Sequence, residues 1–146
     1  VADIRVCSSI LKGITIPEEL VPLAIDEFPA IFIAASCAHG ETLLTGAKEL
    51  RVKESDRIQV MSDGLSSLGI ENEVLEDGIR IKGGEFQKQT SIIKSRHDHR
   101  ISMAFAVESI RSNFEIYIEG VDNVKTSFPN FVDLANQVGM NLIETQ

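Results

Sequence analysis

Two segments of helix length, residues 28–38 and 101–110, are apolar on nearly every side. A helix with no polar face cannot lie on a surface, so each must be covered by other layers of the fold. Asp26 precedes the first segment and Asp98 the second. Each is followed by a short strand, an amphipathic helix and a glycine, Gly69 or Gly139. The offset of roughly seventy residues between the two patterns marks a duplicated α/β unit, two layers thick, with one buried and one outer helix per copy.

Local signals fill in this frame. Residues 3–9 read as a strand with Ile4, Val6 and Ser8 on one face, and residues 12–17 as a turn and a short extended piece. Pro29 falls in the first turn of the first buried helix, a favoured place for proline. Residues 41–45 read as a strand. A helix is expected over 54–68, with Ile58, Met61, Leu65 and Leu68 on one stripe and Gly69 ending it. Residues 71–75 and 79–82 form a hairpin around Asp77-Gly78. In the second copy, strands are expected at 91–94, 115–118 and 141–143. Ser127 is expected to cap the outer helix, with Pro129 in its first turn. The approximate units are 1–84 and 85–146.

The net charge of −8 argues against a nucleic-acid-binding or membrane-binding surface. The longest apolar stretch, 28–38, is too short to span a bilayer. The amino-terminal residues lack the basic and then apolar run of a signal peptide. They begin in the middle of an expected strand with no initiator Met, as in a fragment of a longer chain. Cys7 and Cys37 form no CxxC pair and sit among apolar neighbours, so two buried, reduced thiols in a cytoplasmic protein are expected.

The charged run Arg51-Val52-Lys53-Glu54-Ser55-Asp56-Arg57 carries the chemistry. Read blandly it is a solvated helix end with a Glu54–Arg57 pair worth about 0.2–0.5 kcal/mol. Against that, helix N-termini disfavour cations. Lys53 and Arg57 nevertheless crowd one expected helix start, Arg100 stands at another, and Lys125 just before a third. Three such placements in an acidic protein point to a bound anion, held by basic side chains at helix N-termini. Asp98 reads as a helix cap. For Asp26, capping and catalysis are both open. His97 and His99 would share a face only in an extended segment, and no further ligand cluster accompanies them, so no metal is expected.

The run Leu50-Arg51-Val52-Lys53-Glu54-Ser55-Asp56-Arg57-Ile58 closely resembles a signature of the 5-enolpyruvylshikimate-3-phosphate synthase family. Three other segments agree in order: Ile25-Asp26-Glu27-Phe28-Pro29, the stretch from Asp98 through Arg100 to Phe105, and Thr126-Ser127-Phe128-Pro129-Asn130-Phe131. The resemblance covers essentially the whole chain, as the last third or so of an enzyme. It implies a partial inverse α/β barrel of repeated βαβαββ-type units, with buried helices and outer mixed sheets.

It also implies an activity: transfer of the enolpyruvyl group of phosphoenolpyruvate to the 5-hydroxyl of shikimate 3-phosphate, without metal or organic cofactor. By position, Asp26 matches the family's proton acceptor and a shikimate 3-phosphate contact, and Lys53 a second contact. Glu54 matches the proposed proton donor. Arg57 and Arg100 match the arginines that hold phosphoenolpyruvate and the herbicide glyphosate. Strict alignment gives the place of a family lysine to Thr126, one residue past Lys125, and Glu49 stands where some relatives have a substrate-touching Asn. The missing N-terminal domain would complete the site, so residues 1–146 alone are expected to be inactive. The alternatives are the related UDP-N-acetylglucosamine enolpyruvyl transferase and a non-catalytic anion-binding domain of the same fold.

Overall fold

The computed structural model describes residues 1–86 and 91–145. Helix α1 (Phe28–Ser36) starts with Pro29 in its first turn, where a missing N–H breaks no helical bond, and buries Phe28, Phe32 and Ile33. Extended residues before it pair in parallel with residues after it, through the bridges Lys12↔His39 and Thr15↔Leu43. Strand β1 (Glu41–Leu44) continues from there. After helix α2 (Arg57–Ser67), Gly69 takes a left-handed φ of 84° and turns the chain into the hairpin of β2 (Asn72–Val74) and β3 (Ile79–Lys82). β3 is central in an antiparallel sheet of order β1-β3-β2, with Leu44 opposite Ile79.

The second half opens with β4 (Ser91–Lys94), crosses through α3 (His99–Glu108) and returns in β5 (Ile116–Glu119), parallel to β4. Two helices follow, α4 (Asp122–Ser127) and α5 (Phe131–Gln137). α1 packs on α3, and α2 lies against β2 and β4. One cluster of buried side chains runs through all of them, including Phe28, Phe32, Met61, Leu65, Ile93 and Phe105. The chain is thus a mixed α/β fold in which α1 and α3 pack on each other, but neither is covered on every side as expected: Ala30 and Ala34 of α1 and Val107 of α3 are exposed, because the described residues place no further layer over that face. Among the described residues no helix is long and apolar enough to cross a membrane.

Several expectations are corrected. Residues 3–9 form no strand, and Ile4 and Val6 are exposed; the described residues offer them no ladder partner, without which a strand has nothing to hold it. α2 begins at Arg57 rather than 54, because the Asp56 side chain accepts from the Gln59 N–H and caps it there. Residues 48–52 form a separate 3-10 turn. Ser127 ends α4 instead of capping a helix, and Pro129 lies between α4 and α5. Phe128 before it is extended (φ −143°, ψ 80°), as the residue preceding a proline prefers, so the outer helix of the second half is broken in two. Residues 141–143 form no strand; the Asn136 side chain instead holds the backbone of Leu142. Cys7 and Cys37 are free but exposed, Cys7 in the unpaired leading segment and Cys37 at the end of α1.

Candidate active site

The N-terminal ends of α1, α2 and α3 converge, and their charged side chains form one network. Arg57, the first residue of α2, is its hub. Its guanidinium meets three carboxylates: Nε donates to Asp98 Oδ2 (2.9 Å), Nη1 to Asp26 Oδ1 (2.9 Å) and Nη2 to Glu54 Oε2 (2.6 Å). The Arg57 side chain is 1% exposed and that of Asp98 0%, whereas Asp26 and Glu54 are 47% and 49% exposed. Arg57 therefore has a buried edge fixed on Asp98 and an outward edge shared by two carboxylates that face solvent.

Asp26 is not a helix cap. Glu27 holds the capping position of α1, with no side-chain cap bond. The Asp26 carboxylate is turned toward cations instead, with Lys53 Nζ at 3.8 Å and Arg100 Nη2 at 4.0 Å besides Arg57. Arg100, the second residue of α3, donates from Nη1 to the Asp26 carbonyl (2.9 Å) and to Glu27 Oε1 (3.2 Å). Lys53 is paired with Glu49 at 2.5 Å. The loop carrying Lys53 and Glu54 is pinned from behind by Arg51, which donates to Asp56 and to the carbonyls of Leu75 and Glu76.

These contacts set the protonation states. The hydrogen bond from Arg57 holds the Asp26 carboxyl below its ordinary range; desolvation offsets this in part, and the charges of Arg100 and Lys53 reinforce it. Burial pulls Arg57 downward, but the bond and charge of Asp98, then Asp26 and Glu54, outweigh it and leave Arg57 raised. Lys53 is raised, chiefly by its hydrogen bond to Glu49. At neutral pH Asp26 is thus an ionised carboxylate able to accept a proton. Beside it, a groove of about 180 Å³ runs between α1 and α3, with Asp26, Glu27 and Arg100 at its polar end and Ile33, Met103 and Val107 along its walls. Pockets that enclose small ligands usually exceed about 300 Å³, so this groove is too small to enclose one by itself.

The structure brings Asp26, Lys53, Glu54, Arg57 and Arg100 together. It leaves Lys125 apart, in the last turn of α4, where the helix dipole favours a cation, paired with Glu144 at 3.0 Å. Arg57 and Arg100 at the other helix starts are balanced by carboxylates of the chain itself; of these, sequence spacing anticipated the Glu54–Arg57 pair but not Asp26, Glu27 or Asp98. Asp98 does cap α3, accepting the Arg100 N–H at 3.0 Å, but it also holds Arg57 and accepts from Ser55 Oγ. That second role was missed. The available signal was its equivalence to Asp26 in the repeated pattern.

The family model for EPSP synthase (3-phosphoshikimate 1-carboxyvinyltransferase) matches residues 1–134. The chain belongs to the EPSP synthase family. The 3-phosphoshikimate 1-carboxyvinyltransferase of Vesicomyosocius okutanii subsp. Calyptogena okutanii is 75% identical over 97% of this chain, and that of Hydrogenovibrio crunogenus 57% identical over 97%. An EPSP synthase structure from Acinetobacter baumannii superimposes with a TM-score of 0.89 at 54% identity, over 94% of this chain. The chain spans about a third of the length of these relatives, 32% in each case. The charged network lies wholly within the stretch that matches the family.

Proposed function

We propose that this chain is the C-terminal part of an enzyme that transfers the enolpyruvyl group of phosphoenolpyruvate to the 5-hydroxyl of shikimate 3-phosphate and releases phosphate. The observation that carries the reading is the arrangement around Arg57. One guanidinium joins the two half-exposed carboxylates Asp26 and Glu54, and Arg100 and Lys53 flank the same aspartate.

In this reading Arg57 and Arg100 hold the anionic groups of phosphoenolpyruvate, and Lys53 and Asp26 bind shikimate 3-phosphate. Ionised Asp26 takes the proton of the 5-hydroxyl as its oxygen bonds to C2 of phosphoenolpyruvate, and Glu54 delivers a proton to the methylene carbon. The tetrahedral adduct then loses a methyl proton and expels phosphate. Two carboxyl groups in different surroundings divide the proton work. The rest of the relatives' length supplies the remaining part of the site as a partner domain, and closure on substrate excludes water. Residues 1–84 and 85–146 are two repeated units of the whole protein. The free thiols fit a cytoplasmic location.

The test is steady-state kinetics of the full-length enzyme. Arg100→Ala and Arg57→Lys each raise KM for phosphoenolpyruvate by about tenfold or more, the value of one charge-assisted hydrogen bond. UDP-N-acetylglucosamine does not replace shikimate 3-phosphate as acceptor. Unchanged KM values in both variants contradict the assignment.

A further inference from the structure

We propose that Asp98 is the positioning residue of this site: it locks the buried edge of Arg57 to the first turn of α3, so that the outward nitrogens of Arg57 and the side chain of Arg100 address one anion together. The proposal rests on the reading that these two arginines bind phosphoenolpyruvate.

A helix cap needs one acceptor, yet Asp98 uses both oxygens on three different segments. Oδ1 accepts the Arg100 backbone N–H, while Oδ2 accepts Arg57 Nε and Ser55 Oγ (3.0 Å). Its side chain is fully buried, so it cannot trade these partners for water, and a buried charge without them is strongly disfavoured. The other two carboxylates on Arg57 are half exposed and each accepts a single hydrogen bond from it. An incoming phosphate or carboxylate can therefore take over Nη1 and Nη2, while Nε stays on Asp98.

The backbone leading to Asp98 is built for one conformation. Arg96 and His97 both adopt left-handed φ values, 56° and 61°, which side-chain-bearing residues take uncommonly and, twice in succession, at a cost that the surroundings must offset. The enforcement comes from the end of β5. Ser95 is fully buried, and its Oγ lies 2.8 Å from the carbonyls of both Glu119 and Gly120. Asp98 N–H donates to the Ser95 carbonyl (3.1 Å). Gly120, at φ 78°, lets the turn approach: a Cβ there would come within 3.1 Å of His97 N and of Ser95 Oγ. A strained turn braced from a strand end, delivering one buried carboxylate onto an arginine, sets that arginine's position.

The test uses the full-length enzyme and the variant Asp98→Asn, which keeps side-chain size and capping ability. Its KM for phosphoenolpyruvate rises about tenfold or more, while KM for shikimate 3-phosphate stays within about threefold. In an Arg57→Lys background the same change adds little, because Asp98 acts through Arg57. A folded Asp98→Asn enzyme with unchanged KM for phosphoenolpyruvate overturns the proposal, as do effects of the two substitutions that simply multiply. If Arg100→Ala and Arg57→Lys raise this KM and Asp98→Asn does not, the positioning role alone is wrong. If none of the three raises it, the underlying binding assignment falls and the proposal with it.

Should Asp98→Asn not fold, the wild-type enzyme carries the test. The Nε–H resonance of Arg57, assigned by its loss in Arg57→Lys, stays protected from hydrogen exchange when phosphoenolpyruvate saturates the site. Loss of that protection on binding overturns the proposal.

Discussion

Ser36 donates from Oγ to Oε1 of Glu108 across 2.8 Å, tying the C-terminal ends of α1 and α3 together. The N-terminal ends of the same two helices are tied by Arg100 and the Asp26 carbonyl. The pair is therefore fastened at both ends by polar bonds around an apolar middle, and the end that carries Asp26 and Arg100 inherits a fixed spacing.

Glu108 gives this fastening a pH dependence. Burial pushes its carboxyl above the ordinary 4.5, with smaller opposing effects from Ser36, Arg111 and Cys37. Between 4.5 and the raised folded value the native state holds a proton that the unfolded chain has lost, so stability falls as pH rises through that window. Glu108→Gln removes the slope. In urea titrations of the full-length enzyme the variant matches wild type below pH 4.5 and is more stable at neutral pH. A variant less stable than wild type at neutral pH contradicts this account.

Arg57 and Arg100 differ in what their loss leaves behind. Arg57→Ala strands the fully buried Asp98 without its cation, and breaking such a pair costs about 3–5 kcal/mol. Arg100 is a third exposed and its ion pairs reach water, so Arg100→Ala costs about 1 kcal/mol or less. Chemical denaturation of the two variants separates them. Equal losses would show that the Arg57–Asp98 bond is not the structural centre of the network.

Gly64 sets two effects against each other. Alanine is favoured over glycine within a helix by about 0.8–1.0 kcal/mol. A Cβ at Gly64, however, would sit 2.3 Å from Cζ of Phe105, a ring with no exposed surface to move into. Overpacking of this kind costs about 1–3 kcal/mol. Gly64→Ala is therefore net destabilising, and a raised Tm would show that α2 and α3 can move apart freely.

Much of the fold was legible in sequence because its signals are local. Pro29 and Gly69 fix a helix start and a helix end by backbone geometry, Asp77-Gly78 marks the hairpin, and the two apolar helices announce the packing of α1 on α3, though not the face each leaves open. The misreadings arose where a neighbour or partner decides. Asp56 outcompetes the residues before it as the cap of α2, and Pro129 divides the last helix. Residues 3–9 have strand-like alternation and no described partner. The site was legible as a set of residue types but not as a geometry. Arg57 sits in a run of charges that reads as solvated, and its burial depends on Asp26 and Asp98, distant in sequence on other segments. No periodicity encodes that meeting; the family resemblance grouped Asp26 with Arg57 beforehand and gave Asp98 no part in it.

The division of proton work between Asp26 and Glu54 is the centre of the functional account. Neither residue caps a helix by its side chain, so Asp26→Asn and Glu54→Gln leave the elements around them intact. The deciding measurement is turnover of the two full-length variants in deuterated water, with deuterium followed into the methylene group and thermal unfolding as the control. Both variants are expected to fold and to lose at least about a hundredfold in kcat, with Glu54→Gln also slowing deuterium entry. A folded Asp26→Asn enzyme with near-normal turnover, or a Glu54→Gln enzyme that exchanges at the wild-type rate, would contradict it.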